Sequence, residues 1–259
     1  MTDLPGSLYE PDGELYRPTG LTRGPWDPAF QHAGPPAALL GRAVQADDTL
    51  IGRIAIDLLR PVPIAPLVVM SSVVRPGRNV ELLEAVMNEP APGSRPVARA
   101  LAWRLRIDEG VAALPSGPQP PGPDEGSERP FFPTGQERGY HTAMDYRFVD
   151  GAFTEPGPAR VWMRMRRPLV AGEPTSALSR VLVAADSGNG VSATLDYRRH
   201  VFINTDLTVH LVREPAGEWV LLDATTYVGP HGVGLSESVL HDEAGRLGRA
   251  SQTLLVRLR

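Results

Sequence analysis

The chain has 259 residues, 42% of them apolar and 22% charged, with a net charge of −4. This is the composition of an ordinary globular protein, long enough for two domains of roughly 100–150 residues each. The negative balance gives no general attraction to nucleic acid or to an anionic membrane surface. The absence of cysteine excludes a thiol nucleophile, thiolate metal ligands and disulfides. All 26 basic residues are arginine, so lysine Schiff-base chemistry is excluded too.

The N-terminal stretch MTDLPGSLYEPDGELYRP is acidic and proline-bearing, without a basic segment leading into an apolar one. No run approaches the roughly 18 apolar residues of a membrane span. The expected location is the cytoplasm, with no membrane partner.

In chain order, Pro35–Ala46 is Ala/Leu-rich and opens on proline, which suits a first helical turn. Four extended segments follow, near 52–60, 67–76, 79–88 and 96–107. Then Pro115, Pro118, Pro120, Pro121 and Pro123 crowd together with glycine and serine, which predicts a stiff connector rather than a packed element. It divides the chain into 1–108, a linker at 109–140, and 141–259. Beyond it come β-like pieces at Tyr146–Phe153 and Arg160–Arg166, and a helix over Pro174–Ala185 with Ala177, Leu178, Val181, Leu182 and Ala185 at helical spacing. Extended segments near 200–213, 218–228, 232–241 and 246–258 complete the chain.

The halves are related. Shifted by about 153 residues, Val80, Leu82, Glu84 and Val86 fall on Val233, Leu235, Glu237 and Val239, and Arg104-Leu105-Arg106 on Arg257-Leu258-Arg259. Each half reads as a helix followed by an antiparallel meander, so the expected class is α+β in two tandem copies.

The segment Gly24-Pro-Trp-Asp-Pro-Ala-Phe-Gln-His-Ala-Gly-Pro-Pro-Ala-Ala-Leu-Leu40 resembles the helix entry of the double-hotdog acyl-CoA thioesterases. Asn204–Leu211, Glu218–Thr226 and Gly245–Leu255 are similar to later parts of the same superfamily. The resemblance implies a tandem double hotdog, each half a central helix wrapped by an antiparallel sheet. It also implies hydrolysis of an acyl-CoA or related thioester without a cofactor, and a homodimer from family habit. By position it carries a catalytic Asp, hydroxyl and Gln onto Asp206, Thr226 and Gln252. Family members have a Ser/Thr-rich stretch where this chain has Ala224-Thr-Thr-Tyr-Val-Gly-Pro230, so the hydroxyl is Thr225 or Thr226.

The residues have their own readings. Asp206 shares an alternating face with Asn204, Thr208 and His210, either a solvated edge or a carboxylate that orients water. Gln252 is the one polar side chain on the face Gly248, Ala250, Gln252, Leu254, Val256, Leu258, so its amide needs buried partners, structural or catalytic. Threonine is favoured in strands anyway. In the first half Asp57 parallels Asp206, but Val73 and Arg99 stand where Thr226 and Gln252 do, which predicts one working site per chain.

Ahead of the first helix, the Ala33 and Gly34 amides are available to an oxyanion because Pro35 and Pro36 have no N–H. His32 is a second polar contact or a plain loop histidine. The other histidines are scattered without metal-ligand spacing, so no metal is expected. Nucleophile-elbow, Walker and dinucleotide motifs are missing. Two alternatives stay open: a hotdog dehydratase or hydratase using His32, and a non-catalytic acyl-binding protein.

Overall fold

The computed structural model describes residues 4–111, 117, 119–131 and 133–259. Its N-terminal part holds β1 (Tyr9–Asp12), β2 (Leu15–Pro18), α1 (Gly34–Val44), β3 (Thr49–Leu58), β4 (Leu67–Arg75), β5 (Val80–Asn88) and β6 (Ala98–Arg106). The C-terminal part holds α2 (Tyr140–Ala143), β7 (Met144–Ala152), β8 (Glu155–Met165), α3 (Ala177–Ala185), α4 (Gly188–Val191), β9 (His200–Asn204), β10 (Asp206–Leu211), β11 (Val220–Val228), β12 (Val233–Asp242) and β13 (Gly245–Leu258).

All thirteen described strands join one antiparallel sheet, in the order β1-β2-β4-β5-β6-β3-β10-β13-β12-β11-β8-β7, with β9 also on β13. The order mirrors itself about the β3–β10 seam, where Asp57 and Asp206 stand directly opposite each other. The α+β class and the strands expected from alternation are therefore present. The hairpin of β1 and β2 is an addition that the acidic N-terminal sequence did not announce; it turns on Gly13, whose φ of 60° suits glycine.

Helices α1 and α3 pack against each other on the inner side of the sheet, burying Ala37, Leu40, Val44, Val181 and Leu182 in one core. Glycine permits their close approach: a Cβ on Gly34 would lie 2.6 Å from the Val183 carbonyl oxygen. On Gly41 it would lie within contact distance of Leu178 and Leu182. The pairing of Gly34 with Val183 and of Gln45 with Ser176 makes the helices antiparallel. The N-terminal end of α1 thus meets the C-terminal end of α3.

The connector differs from expectation. Pro115 and Pro118 lie outside the described residues, but the described part is held to the body. Trp162 donates to the Pro121 carbonyl at 2.9 Å, and Arg147 pairs with Asp124 at 2.6 Å. Ser127 and Phe148 exchange backbone bonds. Prolines lack an N–H to donate but keep a carbonyl acceptor, and here the Pro121 and Pro123 carbonyls accept from the Trp162 and Arg147 side chains. No helix among the described residues is long and apolar enough to cross a membrane.

Candidate active site

A cleft of about 630 Å³ opens where the start of α1 meets the end of α3, and both halves line it. From the first half comes the loop before α1. The amide of Gln31 donates to Val62 and that of His32 to Thr22, both at 2.8 Å. The Gln31 side chain accepts from Tyr9 at 2.6 Å and donates to Pro63 at 2.8 Å. A loop tied at four points presents His32 in a fixed place. Its ring stacks on Tyr140, centroids 3.7 Å apart and planes 8° from parallel.

From the second half comes Asp186, at the C-terminal cap of α3 and 3% exposed. One carboxylate oxygen, Oδ2, lies 3.0 Å from His32 Nδ1. The other accepts from Asn204 Nδ2 at 2.8 Å and Gln252 Nε2 at 3.1 Å. A buried carboxylate is tolerable when its lone pairs are satisfied this fully. Gln252 also donates to the Asp186 carbonyl at 3.0 Å and accepts from the Asn189 amide at 3.1 Å. It locks the end of α3 to α4 and to β13.

The His32 contact fixes a tautomer. An unprotonated Nδ1 would set its lone pair against a carboxylate lone pair, so Nδ1 carries the proton and donates to Asp186. The Gly34 amide, 3.1 Å from Nδ1, then has no lone pair to donate to. The Ala33 amide makes no hydrogen bond among the described residues, and Ala33 lines the cleft. Tyr140 donates to the Val183 carbonyl at 2.7 Å and touches Ser187 Oγ at 2.9 Å. Burial pushes its hydroxyl above the ordinary tyrosine range and nearby Asp186 adds to this, against the opposing Ser187 bond, so it stays a neutral phenol.

The expected site residues divide. Gln252, His32 and Ala33 are brought together, with Gly34 just behind. Thr226 is buried with Oγ1 2.8 Å from Ser192 Oγ, and it stands on the same rung as Ser236 and Gln252. It is the inward threonine of the pair, and it reaches the site through Ser192, which donates to the Gly188 carbonyl at the start of α4. Asp206 is held elsewhere. Its Oδ1 accepts from the Thr253 amide at 2.9 Å, and it does not line the cleft.

The reason is a change of phase. Unbroken alternation would place Asn204 and Asp206 on one face. The strand is interrupted at Thr205, whose amide and carbonyl bond to Thr253 and Leu58. Before the break Phe202 is buried and Asn204 reaches Asp186; after it Leu207, Val209 and Leu211 turn inward. Asn204 and Asp206 therefore part company.

Asp186 itself carried a signal in the sequence. It follows the last apolar turn of a helix, where the dipole disfavours an acid. Such a local conflict marks functional positions. Gly188-Asn189-Gly190 forms most of the helical turn α4 over Gln252.

The model of the acyl-CoA thioesterase N-terminal domain matches residues 22–105, and that of the C-terminal domain matches residues 114–256. The chain belongs to the acyl-CoA thioesterase family. As a thioesterase it is an enzyme of thioester hydrolysis. Solved structures give its fold. A hot dog fold protein from Alicyclobacillus acidocaldarius is similar at a TM-score of 0.71 and 16% identity, covering 97% of this chain and 95% of its own. An acyl-CoA thioesterase II from Mycobacterium marinum is similar at 0.66 and 17% identity, covering 96% and 94%. The tesB protein of Mycobacterium avium subs paratuberculosis gives 0.67 and 14%, covering 96% and 95%. No curated protein sequence matches this thioesterase.

Proposed function

We propose that this thioesterase is a tandem double hotdog, with halves at 1–108 and 141–259, that hydrolyses an acyl-CoA to the free acid and coenzyme A through the His32–Asp186 pair. The observation that carries this is the 3.0 Å contact between the Asp186 carboxylate and His32 Nδ1 at the cleft. His32 Nε2 makes no bond to the described protein and is not sealed from the cleft, so it is free to act on a water.

Nε2 takes a proton from that water as its oxygen attacks the thioester carbonyl, and Asp186 stabilises the imidazolium. The tetrahedral oxyanion accepts from the Ala33 amide, one such donor being worth about 3 kcal/mol in other enzymes, while the Gly34 N–H points at the His32 ring instead. The C–S bond then breaks and the imidazolium returns its proton to the departing sulfur. The role expected of Asp206 passes to Asp186. Gln252 and Asn204 hold Asp186, and Thr226 supports α4 through Ser192.

The mirrored end of the helix pair supports one site per chain. There Ser176 Oγ meets Gln45 Oε1 at 2.7 Å, and the carboxylate of Glu173 is taken up by Arg42 rather than by an imidazole. The test is thiol release from acetyl-, hexanoyl-, decanoyl-, palmitoyl- and benzoyl-CoA by wild type and His32→Ala. Release that falls at least a hundredfold in the variant is the expected result; release untouched by the substitution refutes the pair.

The same pair favours a second reading, reversible dehydration of a 3-hydroxyacyl thioester. Formation of an enoyl product without thiol release would establish it.

A further inference from the structure

Besides Phe131, Tyr146 and Phe153, a second set of aromatic rings lines the cleft. Trp26 stands edge-on to Phe202, centroids 5.1 Å apart, and Tyr197 packs in the same cluster. Guanidinium groups lie over both outer rings. Arg259 is 5.5 Å from the Trp26 centroid, and Arg198 is 5.7 Å from that of Tyr197. The Arg259 amide donates to the Arg199 carbonyl at 3.0 Å, which brings the end of β13 against the 196–199 turn.

What marks these arginines is that they are unpaired and also lie at aromatic rings that line the cleft or beside them. Nine arginines among the described residues pair with carboxylates, at positions from Arg17 to Arg213. Arg198, Arg199 and Arg259 are exposed and pair with none of the described carboxylates. The acids nearby are Asp27 and Asp196, and each is occupied in its own turn. Asp27 accepts from the Ala29 amide at 2.8 Å and Asp196 from the Arg198 amide at 2.9 Å. The guanidinium donors remain unassigned in a chain whose overall charge is negative.

An aromatic face with unpaired arginines is the chemistry of phosphate and purine recognition. Guanidinium matches phosphate oxygens two at a time, and a flat ring stacks on indole or phenol. We propose that this rim binds the phosphorylated adenosine end of coenzyme A, while the thioester sits at His32. The carrier is then coenzyme A itself rather than the phosphopantetheine arm of a carrier protein, which has no adenosine. This inference rests on the proposed hydrolysis for its substrate but not for its binding test.

The experiment compares hexanoyl-CoA with hexanoyl-pantetheine, which ends before any phosphate, in wild type and in the double variant Arg198→Ala, Arg259→Ala. The expected result is a KM for hexanoyl-CoA raised about three- to tenfold, as loss of exposed charge-assisted bonds gives. Its kcat stays within about twofold, and kcat/KM for hexanoyl-pantetheine is unchanged. Equal loss on both substrates, or loss on neither, overturns the assignment.

Calorimetry of adenosine 3′,5′-bisphosphate with wild type needs neither turnover nor a folded variant. Binding supports the rim; no binding, or binding of 4′-phosphopantetheine in its place, overturns it. If wild type cleaves neither thioester, the hydrolysis reading fails while the calorimetry still decides the rim.

Discussion

Asp186→Asn and Asp206→Asn are equal chemical changes at two aspartates of the second half, and the site geometry predicts opposite outcomes. At Asp186 the amide oxygen can keep the bonds from Asn204 Nδ2 and Gln252 Nε2, at 2.8 and 3.1 Å. The amide nitrogen then faces His32 Nδ1 and forces it to accept. This is the wrong tautomer, with Nε2 protonated and unable to take a proton from water. Loss of a positioned general base costs typically a hundred- to ten-thousandfold in rate, or about 2.7–5.5 kcal/mol of transition-state stabilisation. The folded state loses less, about 1–3 kcal/mol, because only bonds to the charged form are weakened.

At Asp206 the carboxylate accepts from the Thr253 amide at the β10–β13 junction. Asparagine retains an acceptor there, so turnover within about threefold of wild type is expected, given only an ordinary hydrogen-bond change. The assay is continuous thiol release under saturating acyl-CoA, with thermal unfolding of each variant alongside. An Asp186→Asn enzyme as active as wild type, or an Asp206→Asn enzyme that is inactive while fully folded, would refute the assignment.

Three further predictions concern the frame around the site. Asp242 is 1% exposed and takes both arms of Arg213 and the amides of Ala216 and Ala244. Burial alone would raise its pKa, but the guanidinium and the amides outweigh burial and hold it below the usual carboxylate range. Its stabilisation is therefore present above the unfolded value near 4 and lost as pH falls through the folded value. Asp242→Asn should destabilise by about 3–5 kcal/mol at pH 7, a deficit that shrinks below about pH 4 in urea unfolding. A pH-independent deficit contradicts this. Gly34→Ala puts a methyl 2.6 Å from the Val183 carbonyl and 3.2 Å from His32 Nδ1. Calorimetric unfolding should show a loss of about 1–3 kcal/mol, with thiol release reduced as well; an unchanged Tm refutes the close helix contact. Gln252→Leu strands the Asn189 amide and loosens Asp186, for about 1–3 kcal/mol in denaturant unfolding, and an equally stable variant contradicts that role.

Much of this molecule was written in local pattern. Alternation placed the strands, the proline-led Ala/Leu run placed α1, and the lone polar position on an apolar strand face marked Gln252 as a buried amide in need of partners. These are short-range consequences of side-chain periodicity and backbone sterics, so they hold whatever the fold. The absence of cysteine and lysine likewise narrowed the chemistry through composition alone.

The contact of His32 with Asp186 was not legible in the same way. His32 and Asp186 lie in different halves, and only the antiparallel packing of α1 on α3, through Gly34 and Gly41, brings a loop imidazole to a helix-capping carboxylate. Asp206 stood in a convincing alternating strand, yet the interruption at Thr205 reversed the phase and turned Asn204, rather than Asp206, toward the cleft. A period of two says which residues share a face only while the ladder is unbroken. The sequence by itself determined the elements and the chemistry they exclude. Tertiary packing decided which carboxylate meets which imidazole, because that choice depends on contacts between residues that no local pattern relates.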